Sequence, residues 1–375
     1  MADHPMNRRD FVAGAAAVAA GAAAGGFNPS EAQKTKKEAS PSRRSILNFN
    51  ENMDYRRLGK TGLMVSAVCL GGHWKRVGRM INQPIDATGY SKTDMENLKI
   101  PEFQKNRHDI VSRCIELGIN YVDACTGQEV LAYSRALKGR RDKMYIGASW
   151  YQQEPRNKEY RTVPKLMEAL DAGLREAGLE HVDIWRITLP QDGLPDLGEL
   201  TRIEEAAFGV LERAKKQGKV RFSGVSTHNR PWLKSVIEQY PNELQVACTP
   251  YTANSKELPT DSVFSAVRKF DVGVFGIKPF ADNALFKGDG TPTSPFREED
   301  DKRARLALRY ILGNPAITAP IAGLVTMAQV DNAAKAIMER RKLDQSEKAH
   351  LKEVSKHMWA NLRPSHQWLR NWEYV

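Results

Sequence analysis

Only four cysteines occur in the chain, Cys69, Cys114, Cys125 and Cys248, and they form neither a CxxC pair nor a metal-finger spacing. That pattern argues against a disulfide scaffold and against a structural zinc module. No G-x-G-x-x-G follows the first strand pattern, so the dinucleotide fingerprint of an open, doubly wound sheet is missing. Beyond residue 26 no apolar run approaches the ~20 residues that a membrane-crossing helix needs, and no mature membrane anchor is expected. A nucleic-acid partner is not expected either. Lys and Arg outnumber Asp and Glu by 56 to 45, but they are scattered over helix faces in the manner of a solvated surface.

What the N-terminus does carry is an address. Asn7-Arg8-Arg9-Asp10-Phe11-Val12 precedes an Ala/Gly/Val run to Gly26, with Ala22 and Ala24 spaced for A-x-A cleavage. This resembles a twin-arginine export signal over residues 1–26. An ordinary buried or membrane helix is the alternative, against which stands the weak hydrophobicity of an alanine and glycine run. The signal implies the twin-arginine translocase as a partner and a periplasmic or otherwise exported protein. That route carries folded proteins, so a ligand acquired before export is consistent with it. Residues 27–52, rich in Lys, Ser, Glu, Asn and Pro without apolar periodicity, read as a flexible linker.

From Tyr55 onward, short β-branched or aromatic runs alternate with segments of helical period. Strands are expected at 66–71, 120–124, 143–149, 182–188, 220–226, 244–249, 272–278 and 317–322. Helices are expected near 107–117, 129–138, 163–177, 201–217, 231–239, 260–269, 301–313 and 326–340. Eight such units predict a (β/α)₈ TIM barrel over residues 53–343, with a doubly wound sheet as the alternative. Residues 74–106 form a long connection after the first strand, expected to act as a lid over the barrel mouth, and 344–375 add a helix and an aromatic tail.

The run Tyr55-Arg56-Arg57-Leu58-Gly59-Lys60-Thr61-Gly62-Leu63-Met64-Val65-Ser66, continuing to Leu70-Gly71, resembles the N-terminal β-hairpin and first strand of the aldo/keto reductases. Gly118-Ile119-Asn120-Tyr121-Val122-Asp123, Leu137-Lys138-Gly139-Arg140-Arg141-Asp142-Lys143 and Gly218-Lys219-Val220-Arg221-Phe222-Ser223-Gly224-Val225-Ser226 extend the resemblance, which runs in unbroken order over residues 54–340. It implies hydride transfer between NADP(H) or NAD(H) and a small carbonyl compound, with a tyrosine acid tuned by lysine and aspartate and a histidine orienting the substrate. Of these four, only the aspartate is kept, as Asp123. Thr126 stands about where the tyrosine belongs, Ser149 replaces the lysine and Thr188 the histidine. A phenol titrates near 10 unless a cation lowers it, so the standard acid is not assembled.

For the cofactor, the resemblance implies Ser226, Asn229 and Gln245 on the nicotinamide side and Gly323 and Gln329 on the adenosine side; Ile277-Lys278-Pro279 departs from the family's tyrosine, serine and proline, so ring stacking is lost while Lys278 is expected to meet a phosphate. Side chains at the C-terminal ends of barrel strands point into the site. In order these are His73 and Trp74, Asp123 and Cys125, Ser149 and Trp150, Thr188, His228, Tyr251 and Lys278. His73 and His228 read as general acids or metal ligands, or as hydrogen-bonded structural groups; no metal is assigned. Asp123 is expected to pair with Lys278 or to cap the barrel interior, and Cys125 to be a thiolate near a cation or a small buried hydrophobe. Lys278 replaces the lost cation, binds phosphate, forms a Schiff base or is simply solvated. Three functions remain open: an NAD(P)(H)-dependent oxidoreductase in which His73, His228 or Lys278 moves the proton, a non-catalytic ligand-binding protein, and a barrel enzyme acting on sugar-like substrates stacked on Trp74 and Trp150.

Overall fold

The computed structural model describes residues 45–74, 77–83, 98–190, 196–339 and 341–371. The export signal, most of the linker, the middle of the 74–106 connection, and Trp372 and Tyr374 of the tail lie outside the described residues.

The chain enters through an antiparallel hairpin, β1 (Tyr55–Arg57) and β2 (Met64–Ser66). Its turn contains Gly59 and Gly62, both at positive φ, and a Cβ on Gly59 would meet the Gly273 amide nitrogen at 2.2 Å. Glycine is therefore required where the hairpin presses on the barrel floor. Leu58, Leu63 and Val65 seal that floor by joining the apolar cluster of the barrel interior.

Eight parallel strands close the barrel: β3 (Cys69–Gly71), β4 (Tyr121–Ala124), β5 (Tyr145–Ala148), β6 (Val182–Thr188), β7 (Val220–Ser226), β8 (Val246–Pro250), β9 (Gly273–Ile277) and β10 (Ala319–Gly323). Each pairs with its sequence neighbours, and β10 pairs with β3. Side chains alternate along a strand, so Tyr121, Ile184, Val246 and Phe275 fill the lower interior, with the Tyr121 and Phe275 rings stacked at 4.3 Å. One layer higher the same alternation presents Asp123 on β4 and Arg186 on β6, with Thr188 in the layer above. The polar mouth thus sits directly on an apolar plug.

Among the described residues the helices are α1 (Val77–Ile81), α2 (Pro101–Glu116), α3 (Gly127–Ala136), α4 (Val163–Ala177), α5 (Leu197–Lys216), α6 (Arg230–Gln239), α7 (Val263–Lys269), α8 (Arg297–Leu312), α9 (Met327–Met338) and α10 (Gln345–Ala360). Local chemistry sets their ends. Thr162 caps α4, and Gly178 in the left-handed conformation stops it. Full capping boxes open α9 (Thr326 and Gln329) and α10 (Asp344 and Glu347). Helix α10 lays Leu351, Val354 and Met358 against Leu306 and Ala307 of α8, and the tail adds Leu362 and Leu369 to the same cluster. None of the described helices is long and apolar enough to cross a membrane.

Several expected boundaries shift: α5 and α8 each begin four residues earlier than expected and α7 three later, and two further shifts have a clear local cause. The strand expected at 66–71 is split: Ser66 ends the hairpin, its hydroxyl donating to Val68 O at 2.7 Å, and the barrel strand begins at Cys69. Helix α2 begins at Pro101, six residues earlier than the periodicity predicts, because proline is favoured at the first helical turn and Glu102 complements the dipole there.

Candidate active site

A cavity of about 530 Å³ opens at the C-terminal ends of the barrel strands. At its base lies the Asp123 carboxylate, buried and paired with a guanidinium from the fourth barrel strand: Arg186 Nε donates to Oδ1 at 2.6 Å and Nη2 donates to Oδ2. Burial alone would weaken the charge on Arg186, but Asp123 more than offsets it and holds the guanidinium protonated. Asp123 therefore has a cation, but it is Arg186 rather than Lys278. Tyr121 also donates to Asp123, at 3.2 Å, yet this phenol is enclosed among core side chains and burial pushes its pKa well up. It is part of the plug rather than a replacement acid.

A second group spans the loops after β3 and β4. Glu129, buried in the first turn of α3, accepts from the His73 backbone N–H at 2.6 Å, from the Cys125 backbone N–H at 2.7 Å, and approaches His73 Nδ1 at 2.7 Å. Cys125 Sγ lies 3.4 Å from both imidazole nitrogens. Gly72 makes the arrangement possible, since a Cβ there would sit 2.1 Å from the Glu129 carboxylate. Burial works to raise the Glu129 pKa, but His73 and the two backbone donors hold it below the usual carboxylate range. Burial and the adjacent Glu129 push the Cys125 thiol well up, so it is a thiol and not a thiolate at neutral pH. Thr126, which the sequence resemblance puts at the tyrosine position, caps α3 by accepting from Glu129 N.

Ser149 and Thr188, which the resemblance puts at the lysine and histidine positions, belong to a third group. Ser149 Oγ donates to Glu154 Oε2 at 2.6 Å and lies 2.8 Å from Thr188 Oγ1. Glu154 also accepts from Trp150 N, Thr188 N and Trp185 Nε1 at 2.7–2.9 Å. Of these residues only Thr188 faces the cavity.

The tail closes the mouth from above. The 3₁₀ segment Pro364–Asn371 stacks Trp368 on His228 at 4.2 Å, and Lys278 Nζ sits 5.8 Å from the Trp368 ring centre. Arg363 anchors the segment to Asp282 at 3.3 Å. Burial and then the Lys278 charge push His228 well below its ordinary 6.5, so it is a neutral imidazole at pH 7. Lys278 itself holds φ of 57° at the end of β9.

From the Asp123 base the cavity extends past Ser226 and Lys278 to Gly323 and Gln329 at the start of α9, and exposed Arg297 borders it there. The structure therefore brings Asp123, His73, Thr188, Lys278, Ser226, Gly323 and Gln329 to one cavity. It does not bring Asn229 and Gln245. Asn229 caps α6 by accepting from Trp232 N, and Gln245, before β8, accepts from Lys215 Nζ at 2.8 Å. Trp74 and Trp150 are not platforms either: Trp74 is buried between Phe103 and Tyr133, and Trp150 packs edge-on to Trp185. Tyr251 is buried against Phe264. Sequence reasoning missed Arg186, Glu129 and Glu154. Arg186 was within reach, because period-two alternation back from Thr188 puts it on the same inward face. Glu129 follows Thr126 at capping-box spacing, a signal that predicts a local partner rather than His73.

Comparison with known proteins bears on the family and the fold. The family model of the aldo/keto reductase family matches residues 99–356, more than half of the chain. L-galactose dehydrogenase of Arabidopsis thaliana is 22% identical over 314 residues, covering 78% of this chain and 90% of the relative. An aldo-keto reductase of Schizosaccharomyces pombe whose name specifies NADP(+) is 20% identical over 231 residues, covering 59% of this chain and 63% of the relative. Among solved structures, the holo form of an aldo-keto reductase from Bacillus halodurans superposes with a TM-score of 0.55 at 21% identity, covering 80% of this chain and 96% of that one. That likeness speaks to the fold.

Proposed function

The chain belongs to the aldo/keto reductase family, and from that premise we propose that it is an oxidoreductase using NADP(H) or NAD(H) to interconvert an alcohol and a carbonyl on a small, sugar-like molecule. The observation that carries this reading is the single cavity joining the Asp123–Arg186 base to the capped start of α9. An extended anionic cofactor fits such a cavity. Gly323 lines the cavity at the strand end, the α9 dipole favours negative charge, and Lys278 and Arg297 add two cations. Ser226 and Thr188 offer hydrogen bonds near the base. The NADP(+) relative supports the cofactor class, and the L-galactose relative supports the substrate class.

Ser226, Lys278, Gly323 and Gln329 would hold the dinucleotide, which would supply or take up the hydride. The remaining tasks fall to the protein. Arg186 does not release its proton at physiological pH, so it serves as a fixed positive charge beneath the reacting oxygen rather than as an acid. Thr188, held by Ser149 and the Glu154 backbone contacts, presents a hydroxyl in a set direction. His228, kept neutral by burial and Lys278, accepts a hydrogen bond or donates a neutral one. The reacting oxygen is handled at the corner of His73, Cys125 and Glu129, which occupies the loop region where the family places its tyrosine. Trp368 and the tail exclude water from above.

Calorimetry with NADPH and NADH on the wild type and on Lys278→Met tests the reading. Wild type should bind at least one dinucleotide. The variant should bind about tenfold to hundredfold more weakly, the equivalent of a lost charged hydrogen bond of roughly 1.5–3 kcal/mol. No binding of either dinucleotide to the wild type rejects the oxidoreductase and favours the second reading, a ligand-binding protein without catalysis, which the loss of three family residues supports. We further propose export through the twin-arginine pathway. Replacing Arg8 and Arg9 with Lys should retain the precursor in the cytoplasm; unchanged export rejects the signal.

A further inference from the structure

We propose that His73, Cys125 and Glu129 form a binding site for one zinc-like divalent cation, whose open position faces the cavity and polarises the substrate oxygen. The site stands on its own geometry; the role in catalysis rests on the oxidoreductase reading above.

Each of the three residues offers one donor atom, and these atoms lie within 4.8 Å of one another. All three residues line the cavity. Metal–ligand bonds of about 2.0–2.3 Å to nitrogen, oxygen and sulfur place neighbouring donors roughly 3–4 Å apart. The Sγ to nitrogen separation of 3.4 Å is already in that range, and the Nδ1 to Oε1 separation of 2.7 Å needs only a small opening. The cation would take the place of the shared proton between imidazole and carboxylate.

The donor set selects the metal. A thiol and an imidazole beside one carboxylate disfavour Mg²⁺ and Ca²⁺, which prefer oxygen cages, and suit Zn²⁺ or Co²⁺. A thiolate and a carboxylate would neutralise the two positive charges, so the loaded centre is neutral overall and the single negative charge of the empty corner is cancelled. On binding, the Cys125 thiol proton leaves to solvent and the imidazole proton moves from Nδ1 to Nε2, with no redox change.

The surroundings are those of a supported centre. Backbone N–H groups of His73 and Cys125 hold the two carboxylate oxygens separately, fixing the carboxylate from outside the ligand set. His73 holds φ of 57°, an unusual conformation for a residue with a side chain, of the kind found where a functional group must be aimed. The neighbouring Arg186 charge is already matched by Asp123. Three protein ligands with a fourth position toward a substrate cavity is the pattern of a catalytic zinc site rather than a structural one. Such a site explains how a barrel without the tyrosine handles a developing oxyanion, through Lewis-acid polarisation.

The test uses the full-length protein, stripped with a chelator and titrated with Co²⁺. We expect one equivalent per chain, a near-ultraviolet thiolate-to-cobalt absorption, and release of about one proton from the thiol. Cys125→Ser should lose that absorption while keeping its circular dichroism, and Glu129→Gln should weaken Co²⁺ affinity at least about hundredfold. Zn²⁺ should displace the cobalt. Absence of the absorption in the wild type, or its survival in Cys125→Ser, overturns the site. Azide should shift the visible cobalt bands if a coordination position is open; unshifted bands overturn the catalytic role. Dinucleotide calorimetry reads the oxidoreductase proposal separately, so either idea can fail without the other.

Discussion

Glu129 and Glu154 are two buried carboxylates that solve the same local problem differently. Each gathers backbone N–H groups at the C-terminal ends of two barrel strands, just after β3 and β4 for Glu129, just after β5 and at the last residue of β6 for Glu154. Glu154 is then completed by Ser149 and the Trp185 indole, partners that do not titrate near neutral pH and that face away from the cavity. Glu129 is completed by an imidazole and lies beside a thiol, both on the cavity wall. A buried carboxylate therefore does not by itself mark an active site. What distinguishes the two corners is the chemistry of the remaining partners and whether they meet solvent or substrate.

The Asp123–Arg186 pair lies between the corners, and breaking it should have the largest effect. Asp123→Ala leaves the Arg186 guanidinium buried without its partner and should cost about 3–5 kcal/mol, seen as a lower urea midpoint. Removing both charges in Asp123→Leu/Arg186→Met should restore much of that loss. An unchanged midpoint in the single variant would mean that water reaches the pair.

Exchanging the corners' carboxylates for amides sharpens the contrast. Glu154→Gln turns one acceptor into a donor facing donors and should cost about 2–3 kcal/mol by denaturant unfolding, while leaving Co²⁺ stoichiometry intact. Glu129→Gln should cost less, about 1.5 kcal/mol, because His73 has solvent access to reorient. It should nevertheless remove high-affinity Co²⁺ binding. Equal metal binding by both variants would erase the functional difference between the corners.

The smallest effect concerns pH. His228 is neutral in the fold with its pKa depressed, whereas in the unfolded chain it takes a proton near 6.5. Its contribution is fully present above about pH 6.5 and is lost as pH falls below it, by at most about 1.4 kcal/mol per pH unit. Thermal unfolding of His228→Gln should show a flatter profile between pH 6.5 and 5. The Glu129 contribution lies lower: its carboxyl is depressed from 4.5, so the contribution is fully present above about pH 4.5, falls below it, and is gone once pH has passed through the still lower folded value. A His228→Gln profile identical to wild type would place the imidazole in water.

Much of the fold was legible because its signals are local. Strands 182–188 and 220–226 coincide with β6 and β7, and helix 163–177 with α4, each marked by apolar period and by cap or turn residues. The site was legible only in part. Thr188 and Asp123 follow from strand-end positions, and Arg186 follows from alternation once Thr188 is placed. Gln245 and Asn229 were drawn to the cofactor by family position, but the nearby Lys215 amine and Trp232 amide claim their side chains.

By itself, the sequence determined the eightfold alternation, the sealing hairpin and most helix ends, since periodicity, glycine conformation and capping act over a few residues. Tertiary structure alone decided which polar groups meet. Glu129 finds His73 at a separation of 56 residues and Thr188 finds Glu154 at 34, while Trp368 reaches His228 from the C-terminal tail. Those pairings exist only after β10 closes on β3 and the tail docks on α8 and α10, because a hydrogen bond or ring stack is chosen by distance in space, and barrel closure is what sets that distance.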